Sequence, residues 1–181
     1  MDLSVKGPEG KFNFRVAALF IHEGRILILR DESCPIDYLP GGRAHLFEPA
    51  DEALARELRE ELGIAQTPPH RPVFVAENFY RVEADESASF RGDFHEVLVC
   101  FLVEPPQELL DRGERFVIRE ESDNPEDREV HCFRWAEFGE LAGLPFIPEF
   151  LKTRIHDLPE GVEYISAQTE GGKPVLVRLQ G

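Results

Sequence analysis

Two unbroken apolar runs stand near the start of the chain, separated by a short polar turn. The first is FNFRVAALFI at 12–21 and the second is RILILR at 25–30, with Glu23 and Gly24 between them. Apolar runs joined by such a turn predict a β-hairpin. Their apolar residues are continuous and do not alternate with polar ones, which is typical of strands covered on both faces. We therefore expect a sheet that is packed on both sides.

The rest of the chain alternates between strand-like and helix-like segments. A helical segment of about 14 residues ends at Gly63, which suits a C-terminal cap, and Pro49 fits its first position. Two later helices are expected, at AEFGEL (136–141) and PEFLKTRI (148–155). Further strands are predicted at 71–82, 95–103, 115–118, 129–135, 163–167 and 174–179.

These elements predict one α/β domain. Its 181 residues are enough for a single hydrophobic core. Strands interleaved with an early and a late helical region indicate a mixed β-sheet sandwiched between helices, an α/β/α arrangement. We expect this domain to span residues 12–181, after a loose N-terminal lead-in at residues 1–11 that contains two glycines and a proline.

The composition is strongly acidic, with a formal net charge of -15 and a pI near 4.8. Nucleic acid and anionic membrane surfaces would be repelled by such a charge, so neither is expected as a partner. A phosphate-containing ligand would need local cations to overcome the same repulsion. The N-terminus lacks the apolar region of a signal peptide, and no apolar run is long enough to span a membrane. The expected location is the cytoplasm.

The predicted helix gathers three acids on one side. Glu57 and Glu60 are three residues apart, and Glu57 and Glu61 are four apart, so the carboxylates share a face. Leu54, Leu58 and Leu62 form the adjacent apolar stripe. On charge pattern alone, a solvated acidic face is the simpler interpretation, because acidic helix faces are common on soluble proteins.

The spacing upstream of these acids changes that interpretation. Gly42 is followed after five residues by Glu48, and seven more residues lead to Arg56-Glu57-Leu58-Arg59-Glu60-Glu61-Leu62-Gly63-Ile64. This segment resembles the signature of the Nudix family, the Nudix box, and every defined position of the signature matches. One departure is Phe47, because many members have glycine there; it leaves the shape of the local turn open.

The resemblance implies a Nudix fold and a role for each matching residue. Glu57, Glu60 and Glu61 would bind Mg²⁺, or Mn²⁺ in its place, with the Gly41–Gly42 backbone close to the metal. Glu48 and Arg56 would pair and hold the loop against the helix. Glu60 or Glu61 would take the proton from the attacking water.

Weaker signals lie outside the box. Tyr80, Glu77 and Arg30 are candidates for substrate contacts, although ordinary strand aromatics and solvated charges explain them equally well. The stretch ENFY (77–80) and the pair HE (95–96) resemble patterns seen after the box in some Nudix subfamilies. His95 and His131 are weaker candidate ligands, because a strand histidine is more often structural. An additional metal carboxylate is expected from a late acidic loop, with Glu129 as the choice among Glu120, Glu121, Glu126 and Glu129.

Together these features favour a Mg²⁺-dependent pyrophosphohydrolase. Its substrate would be a nucleoside diphosphate linked to another group, as in nucleoside di- and triphosphates, dinucleoside polyphosphates and nucleotide sugars. The alternative is a non-catalytic Nudix-fold sensor that binds a nucleotide without cleaving it. The intact set of three acids favours the enzyme, because a sensor does not need carboxylates that repel one another. Dimers are common among relatives, so a homodimer is a further expectation.

Overall fold

The computed structural model describes residues 1–31, 36–82, 92–119, 130–170 and 173–177. Along these ranges the chain forms strands, three short or medium α-helices and a 3₁₀ helix. The 3₁₀ helix spans Phe138–Gly143. The α-helices are α1 (Ala50–Leu62), α2 (Gln107–Leu110) and α3 (Leu151–Arg154). The strands are β1 (Ser4–Lys6), β2 (Lys11–His22), β3 (Arg25–Asp31), β4 (His70–Val82), β5 (Gly92–Val103), β6 (Arg115–Arg119), β7 (Val130–Glu137), β8 (Glu163–Glu170) and β9 (Lys173–Val177).

The described strands form one mixed sheet. Their spatial order is β6-β7-β3-β2-β5-β4-β8-β9, and β1 pairs with β2 beside this path. The pairs β2–β5 and β4–β8 are parallel, and the other pairs are antiparallel. Together with the helices, this arrangement confirms the predicted α/β fold with a mixed sheet.

The predicted hairpin is present, but its two strands separate after their first residues. β2 and β3 pair only at Ile21–Ile26 and His22–Arg25, next to the turn at Glu23 and Gly24. Farther along, the loop before α1 takes over their hydrogen bonds: Ala18 N–H donates to the Pro40 carbonyl at 2.8 Å, and Val16 N–H to the Gly42 carbonyl at 2.9 Å. On the other side, Leu29 and Tyr38 exchange two backbone hydrogen bonds. The split places the double glycine of the loop inside the sheet plane.

Both faces of the sheet are covered, as the continuous apolar runs predict. Along β2, Val16, Ala18 and Phe20 face α1, in a core that includes Leu54, Leu58 and Leu62. Ala17 and Leu19 face the opposite side, where they pack in a second core with residues of the 3₁₀ helix and α3. Fully buried side chains on both sides of one strand explain why the sequence shows no polar alternation there.

Helix α1 begins and ends close to where its sequence indicates. Gly63 caps its C-terminus in the left-handed conformation, with φ 65°, and its N–H donates to the Arg59 carbonyl. The start differs by one residue. Pro49 has an extended ψ of 151° and is the residue before the helix, so Ala50 takes the first helical position.

The late helices are shorter than the sequence predicts. The segment 136–141 was expected to begin a helix, yet β7 continues through Glu137 and a 3₁₀ helix follows. The segment 148–155 contains only one α-helical turn, Leu151–Arg154. The chain here carries Gly139, Gly143, Pro145 and Pro148, and these residues do not support a longer helix.

The N-terminal residues are more ordered than the loose lead-in expected for residues 1–11. Ser4–Lys6 form β1 along β2, and the Ser4 hydroxyl donates to the Asn13 side chain at 2.8 Å. Leu3 N–H also donates to the Ala44 carbonyl in the loop before α1. Backbone pairing with β2 and with this loop therefore holds the first residues, while the domain limits stay a prediction. None of the helices in the described ranges is long and apolar enough to cross a membrane.

Candidate active site

One arginine of α1 connects the predicted box residues. The Arg56 guanidinium donates to Glu48 through Nε at 2.8 Å and Nη2 at 3.0 Å. Its Nη1 donates to Glu57 at 2.7 Å and to Glu60 at 2.9 Å. Nη2 also donates to the Arg43 carbonyl at 2.8 Å, which fastens the loop to the helix. Glu48 and Arg56 are therefore paired as the resemblance implies, in a bidentate contact that fixes the geometry of both side chains.

Glu57 and Glu61 are acids held in a nearly buried place, each 8% exposed. The Gly41 backbone N–H donates to Glu61 at 2.8 Å. Burial raises the pKa of Glu61 to about 8, and the charge of Glu57 adds to this rise while the Gly41 hydrogen bond opposes it. Burial also raises the pKa of Glu57, against the lowering effect of Arg56. Two such acids close together favour a cation between them.

The double glycine makes room for these carboxylates. A Cβ on Gly42 would overlap the carboxylate of Glu57. A Cβ on Gly41 would overlap the Val16 carbonyl oxygen in β2, and Gly41 also has a φ of 134°, which favours glycine. The absence of a side chain at Gly41 therefore lets the loop lie against the strand, and its absence at Gly42 leaves room for the Glu57 carboxylate.

The residues present suit a divalent cation of the Mg²⁺ type. Carboxylate oxygens are its preferred protein ligands, and the glycine cradle brings backbone close to Glu57 and Glu61. Within the described ranges, no three acidic, histidine or cysteine side chains already converge as a metal-binding group. Glu60 instead binds Arg56 on the helix surface, with its side chain 48% exposed. Glu57 and Glu60 accept hydrogen bonds from the same nitrogen, Arg56 Nη1, so their carboxylates lie close to each other.

Comparison with known proteins settles the family. The model of the NUDIX domain matches residues 11–155, most of the chain. This chain belongs to the Nudix family. It is a Nudix hydrolase, and the box residues described above lie within the matched range. A search of curated proteins finds no significant match.

A solved MutT structure shares the fold of this Nudix hydrolase, and other Nudix structures are similar to it. The MutT protein of Bacillus halodurans is 14% identical, with a TM-score of 0.55, and the alignment covers 90% of this chain and 94% of that one. The MutT Nudix hydrolase of Burkholderia pseudomallei is 23% identical, with a TM-score of 0.45 and coverage of 70% and 84%. The likeness to the Bacillus halodurans protein extends to the fold and not to the substrate.

A group of cations lies beside the Nudix box, although the chain as a whole is acidic. Burial lowers the pKa of Lys11, and the nearby charges of Arg43, Lys6 and Arg15 lower it further. Arg15 Nη2 also donates to the Gly41 carbonyl at 3.3 Å. We call Lys6, Lys11, Arg15 and Arg43 the basic edge. It is a local source of positive charge of the kind that a phosphate ligand would need in this chain.

Arg30, a predicted substrate contact, is bound to an acid of the fold. Its guanidinium donates to Asp37 through Nε at 2.8 Å and Nη2 at 2.7 Å. Asp37 is 2% exposed, and Arg134 lies 3.7 Å away on its other side. The pair joins β3 to the loop before the box, which favours a structural role for Arg30 over a phosphate contact.

Glu77, the second predicted substrate residue, lies in a surface network. The Tyr164 hydroxyl donates to one of its oxygens, and His95 Nε2 lies 3.1 Å from the other. The His95 ring stacks on Phe79 with centroids 4.5 Å apart. These contacts lower the pKa of Glu77, with the Tyr164 hydrogen bond as the main cause. The backbone of Tyr80 belongs to β4.

Of the remaining predicted site residues, one lies in the described part of the chain and four lie outside it. His131 lies in β7, is 3% exposed, and interacts electrostatically with Glu61 in a way that opposes the rise in the pKa of Glu61. The predicted additional carboxylate, Glu129, lies outside the described residues, as do the alternatives Glu120, Glu121 and Glu126. Their roles stay predictions.

Sequence analysis missed three polar residues close to the box. Arg15, Asn13 and Glu96 all lie in strands, and Asn13 and Glu96 are nearly buried. An isolated polar residue in a strand does not stand out in a sequence. The only signal was the pair HE at 95–96, which contains Glu96.

Proposed function

We propose that this Nudix hydrolase cleaves a phosphoanhydride bond in a nucleoside diphosphate linked to another moiety. The substrate class includes nucleoside di- and triphosphates, dinucleoside polyphosphates and nucleotide sugars. One observation carries the proposal: Glu57 and Glu61 are nearly buried against a double glycine that has room for no side chain. Buried acids of this kind are costly for a fold and are typical of functional sites.

Mg²⁺ is the proposed cofactor, with Mn²⁺ as a substitute. Glu57, Glu60 and Glu61 would hold it. When bound, it supplies a Lewis acid that neutralises phosphate charge and activates water. A homodimer and a cytoplasmic location remain predictions from the sequence.

The protein's own groups orient the reactants. The Gly41 N–H holds Glu61, while Arg56 holds Glu57 and Glu48 and so keeps the loop on the helix. The basic edge attracts the phosphates of the substrate in spite of the net negative charge. Glu60 or Glu61 accepts the proton of the attacking water, because a carboxylate within reach of that water can act as a general base.

An assay of nucleotide hydrolysis tests this function. The purified protein is incubated with nucleoside di- and triphosphates, dinucleoside polyphosphates, nucleotide sugars and ADP-ribose, each with Mg²⁺ and with EDTA. We expect hydrolysis of at least one class with Mg²⁺ and none with EDTA. Binding of a nucleotide without hydrolysis under either condition would instead indicate the non-catalytic sensor.

A further inference from the structure

A row of polar side chains crosses three neighbouring strands of the sheet. Asn13 in β2 and Asn78 in β4 are both register partners of Glu96 in β5. Residues paired in this way point to the same face of a sheet. Asn13 is 3% exposed and Glu96 is 8% exposed, and we call Asn13, Glu96 and Asn78 the polar row. The next step along the same face is apolar, at Leu98 and Ala76 in the second core.

The polar row satisfies only part of its own hydrogen-bonding capacity. The Ser4 hydroxyl donates to Asn13 Oδ1 at 2.8 Å, and Asn78 Nδ2 donates to Glu96 Oε1 at 3.1 Å. Asn13 Nδ2, Glu96 Oε2 and Asn78 Oδ1 make no hydrogen bond to any residue that the structure describes. None of these three atoms is a buried atom left without a partner, so each is accessible to solvent or to a ligand. A polar ligand would supply the missing partners.

The polar row lies next to the proposed phosphate site. Arg15 is two residues beyond Asn13 in β2, about 7 Å farther along the same face, and its side chain donates to the Gly41 carbonyl. Gly41 in turn holds Glu61. Lys11, another member of the basic edge, is two residues before Asn13 on that face. A nucleotide whose phosphates lie at the box can therefore extend its base over the polar row.

The row also unites two patterns that the box does not explain. The stretch ENFY contains Asn78 and the pair HE contains Glu96, and these residues are cross-strand partners joined by a hydrogen bond. Their neighbours Glu77 and His95 are also in contact, on the opposite face. Asn78 and Glu96 thus lie on the face of the sheet that carries Asn13 and Arg15, whereas Glu77 and His95 lie on the other face.

The atoms of the polar row that make no hydrogen bond within the described residues match the hydrogen-bonding edge of one kind of nucleobase. A carboxylate only accepts hydrogen bonds, so Glu96 suits a base that presents two adjacent N–H donors. Asn13 Nδ2 is a donor and suits a carbonyl oxygen beside them. Guanine carries this pattern, with O6, N1–H and N2–H₂ in a row, whereas adenine presents an amino group where guanine has O6. We infer that the polar row reads the guanine edge of the substrate and gives the enzyme a preference for guanine nucleotides.

This inference rests on the proposed function, and metal-free binding tests it separately. Binding of GMP, IMP and AMP to the intact protein is measured by calorimetry in EDTA. Wild-type protein should bind GMP most tightly and AMP least, with IMP between them because it lacks the 2-amino group. Glu96→Gln should weaken GMP binding by roughly tenfold or more, the worth of a bidentate contact to a base edge, and leave AMP binding nearly unchanged.

Two variants and a melting curve separate recognition from folding. Glu104→Gln makes the same chemical change at an exposed position just after β5 and should leave all three affinities unchanged. Asn13→Ala removes the proposed donor to O6, which GMP and IMP share. It should weaken binding of GMP and IMP alike and so reduce the preference for GMP over AMP, but leave the preference for GMP over IMP unchanged. If Glu96→Gln lowers the melting temperature, the affinities of Asn13→Ala show whether the polar row recognises the base.

The outcomes distinguish this inference from the proposed function. Equal binding of GMP and AMP by the wild type, or a GMP preference that survives both variants, overturns the base-reading role. Hydrolysis with Mg²⁺ that shows no preference among bases leaves the proposed function in place and also overturns this role. The protein could also prefer GMP, lose that preference in Glu96→Gln, and hydrolyse none of the substrates. This result would support the base-reading role of the polar row and reject the proposed hydrolytic activity.

Discussion

The charge balance around Arg56 decides the state of the individual acids in the Nudix box. Hydrogen bonds from Arg56 hold the pKa of Glu48 at about 2, helped by the His45 N–H and opposed by burial. Glu48 therefore contributes stability above its ordinary pKa of 4.5 and loses it as the pH falls toward 2. The pKa of Glu61, which is buried and accepts from the Gly41 N–H, shifts in the opposite direction. The arginine thus supports the loop and leaves Glu61 for another cation.

Neutralising the acids should stop turnover without unfolding the protein. Glu60→Gln and Glu61→Gln should each lower kcat by several orders of magnitude, because each removes a charge proposed to serve the metal and no apolar contact. Steady-state kinetics with Mg²⁺ and a circular dichroism spectrum check this expectation. Glu52→Gln, an exposed change on the same helix, is the control and should keep the native rate. Near-native rates in both test variants would refute the assignment.

Glu61 also predicts a pH-dependent stability of the metal-free protein. The pKa of Glu61 is raised from 4.5 to about 8, so its favourable contribution is complete below pH 4.5 and is lost as the pH rises through about 8. Glu61→Gln stays neutral, and at pH 9 it should exceed the wild type by at least about 1 kcal/mol in free energy of unfolding. Denaturant melts in EDTA at pH 6 and pH 9 measure this. An equal difference at both pH values would contradict the expectation.

Phe47 adopts the backbone conformation that glycine would favour. It has a φ of 68° and is 95% exposed, so an aromatic residue occupies a left-handed conformation that strains any residue with a Cβ. Phe47→Gly should raise the free energy of unfolding by up to about 1 kcal/mol, because the relief of strain exceeds the entropy cost of glycine. Leu46→Gly, the neighbouring exposed change, should lower it. A loss of stability in Phe47→Gly would refute the strain argument.

The loop before α1 lies between the two strands of the hairpin and forms one side of the candidate active site. It takes the backbone hydrogen bonds that β2 and β3 would otherwise exchange, and so it brings Gly41 and Gly42 against the helix. Helix α1 anchors its other side through three leucines that are fully buried, Leu54, Leu58 and Leu62. The acids are therefore held between a packed helix and a strand-like loop, and a small change in the loop should affect them.

The two glycines should respond differently to the same substitution. Gly41→Ala would place Cβ against backbone in β2 at a φ that favours glycine, and should lower the free energy of unfolding by about 2 kcal/mol or more. Gly42→Ala would instead meet the end of the Glu57 side chain, which can move. It should therefore remain folded but lose activity. Thermal melts and initial rates of both variants test the contrast, and equal melting temperatures would reject it.

The net charge of -15 and the basic edge have opposite effects on the approach of a phosphate compound. The overall field repels a phosphate compound, while the basic edge attracts it over short distances, because salt at about 0.1 M screens exposed charges beyond roughly 10 Å. Binding of a divalent cation would reduce the net negative charge and pair the buried acids. Metal binding should therefore stabilise the entire fold.

Stabilisation by metal should depend on pH. A protonated Glu61 must release its proton before it can bind a cation, so a fixed concentration of Mg²⁺ should raise the melting temperature more at pH 8 than at pH 6. Scanning calorimetry of the wild type at both pH values measures this difference. Glu61→Gln should show a smaller shift that depends less on pH, because Glu57, whose pKa is also raised, remains. A wild-type shift that is larger at pH 6 would contradict the linkage.

Much of the fold could be predicted from local sequence. The continuous runs in β2 and β3 indicated strands covered on both sides, and the spacing from Gly42 to Ile64 indicated the family together with a helix that ends at Gly63. These signals are periodic or local, so neighbouring residues reveal them. The sequence predicts longer late helices than the structure has, because 3₁₀ and α-helical turns have similar sequence preferences. Whether glycines and prolines favour one or the other depends on their surroundings in the fold.

The acids of the box can be identified from their order and spacing along one helix, which require no distant partner. In contrast, the contact of Arg30 with Asp37, the contact of Arg15 with Gly41 and the path of the polar row across the sheet become visible only in the folded chain. The physical reason is distance along the chain. Register between strands far apart in sequence is set by the packing of the whole sheet, and no local pattern records it.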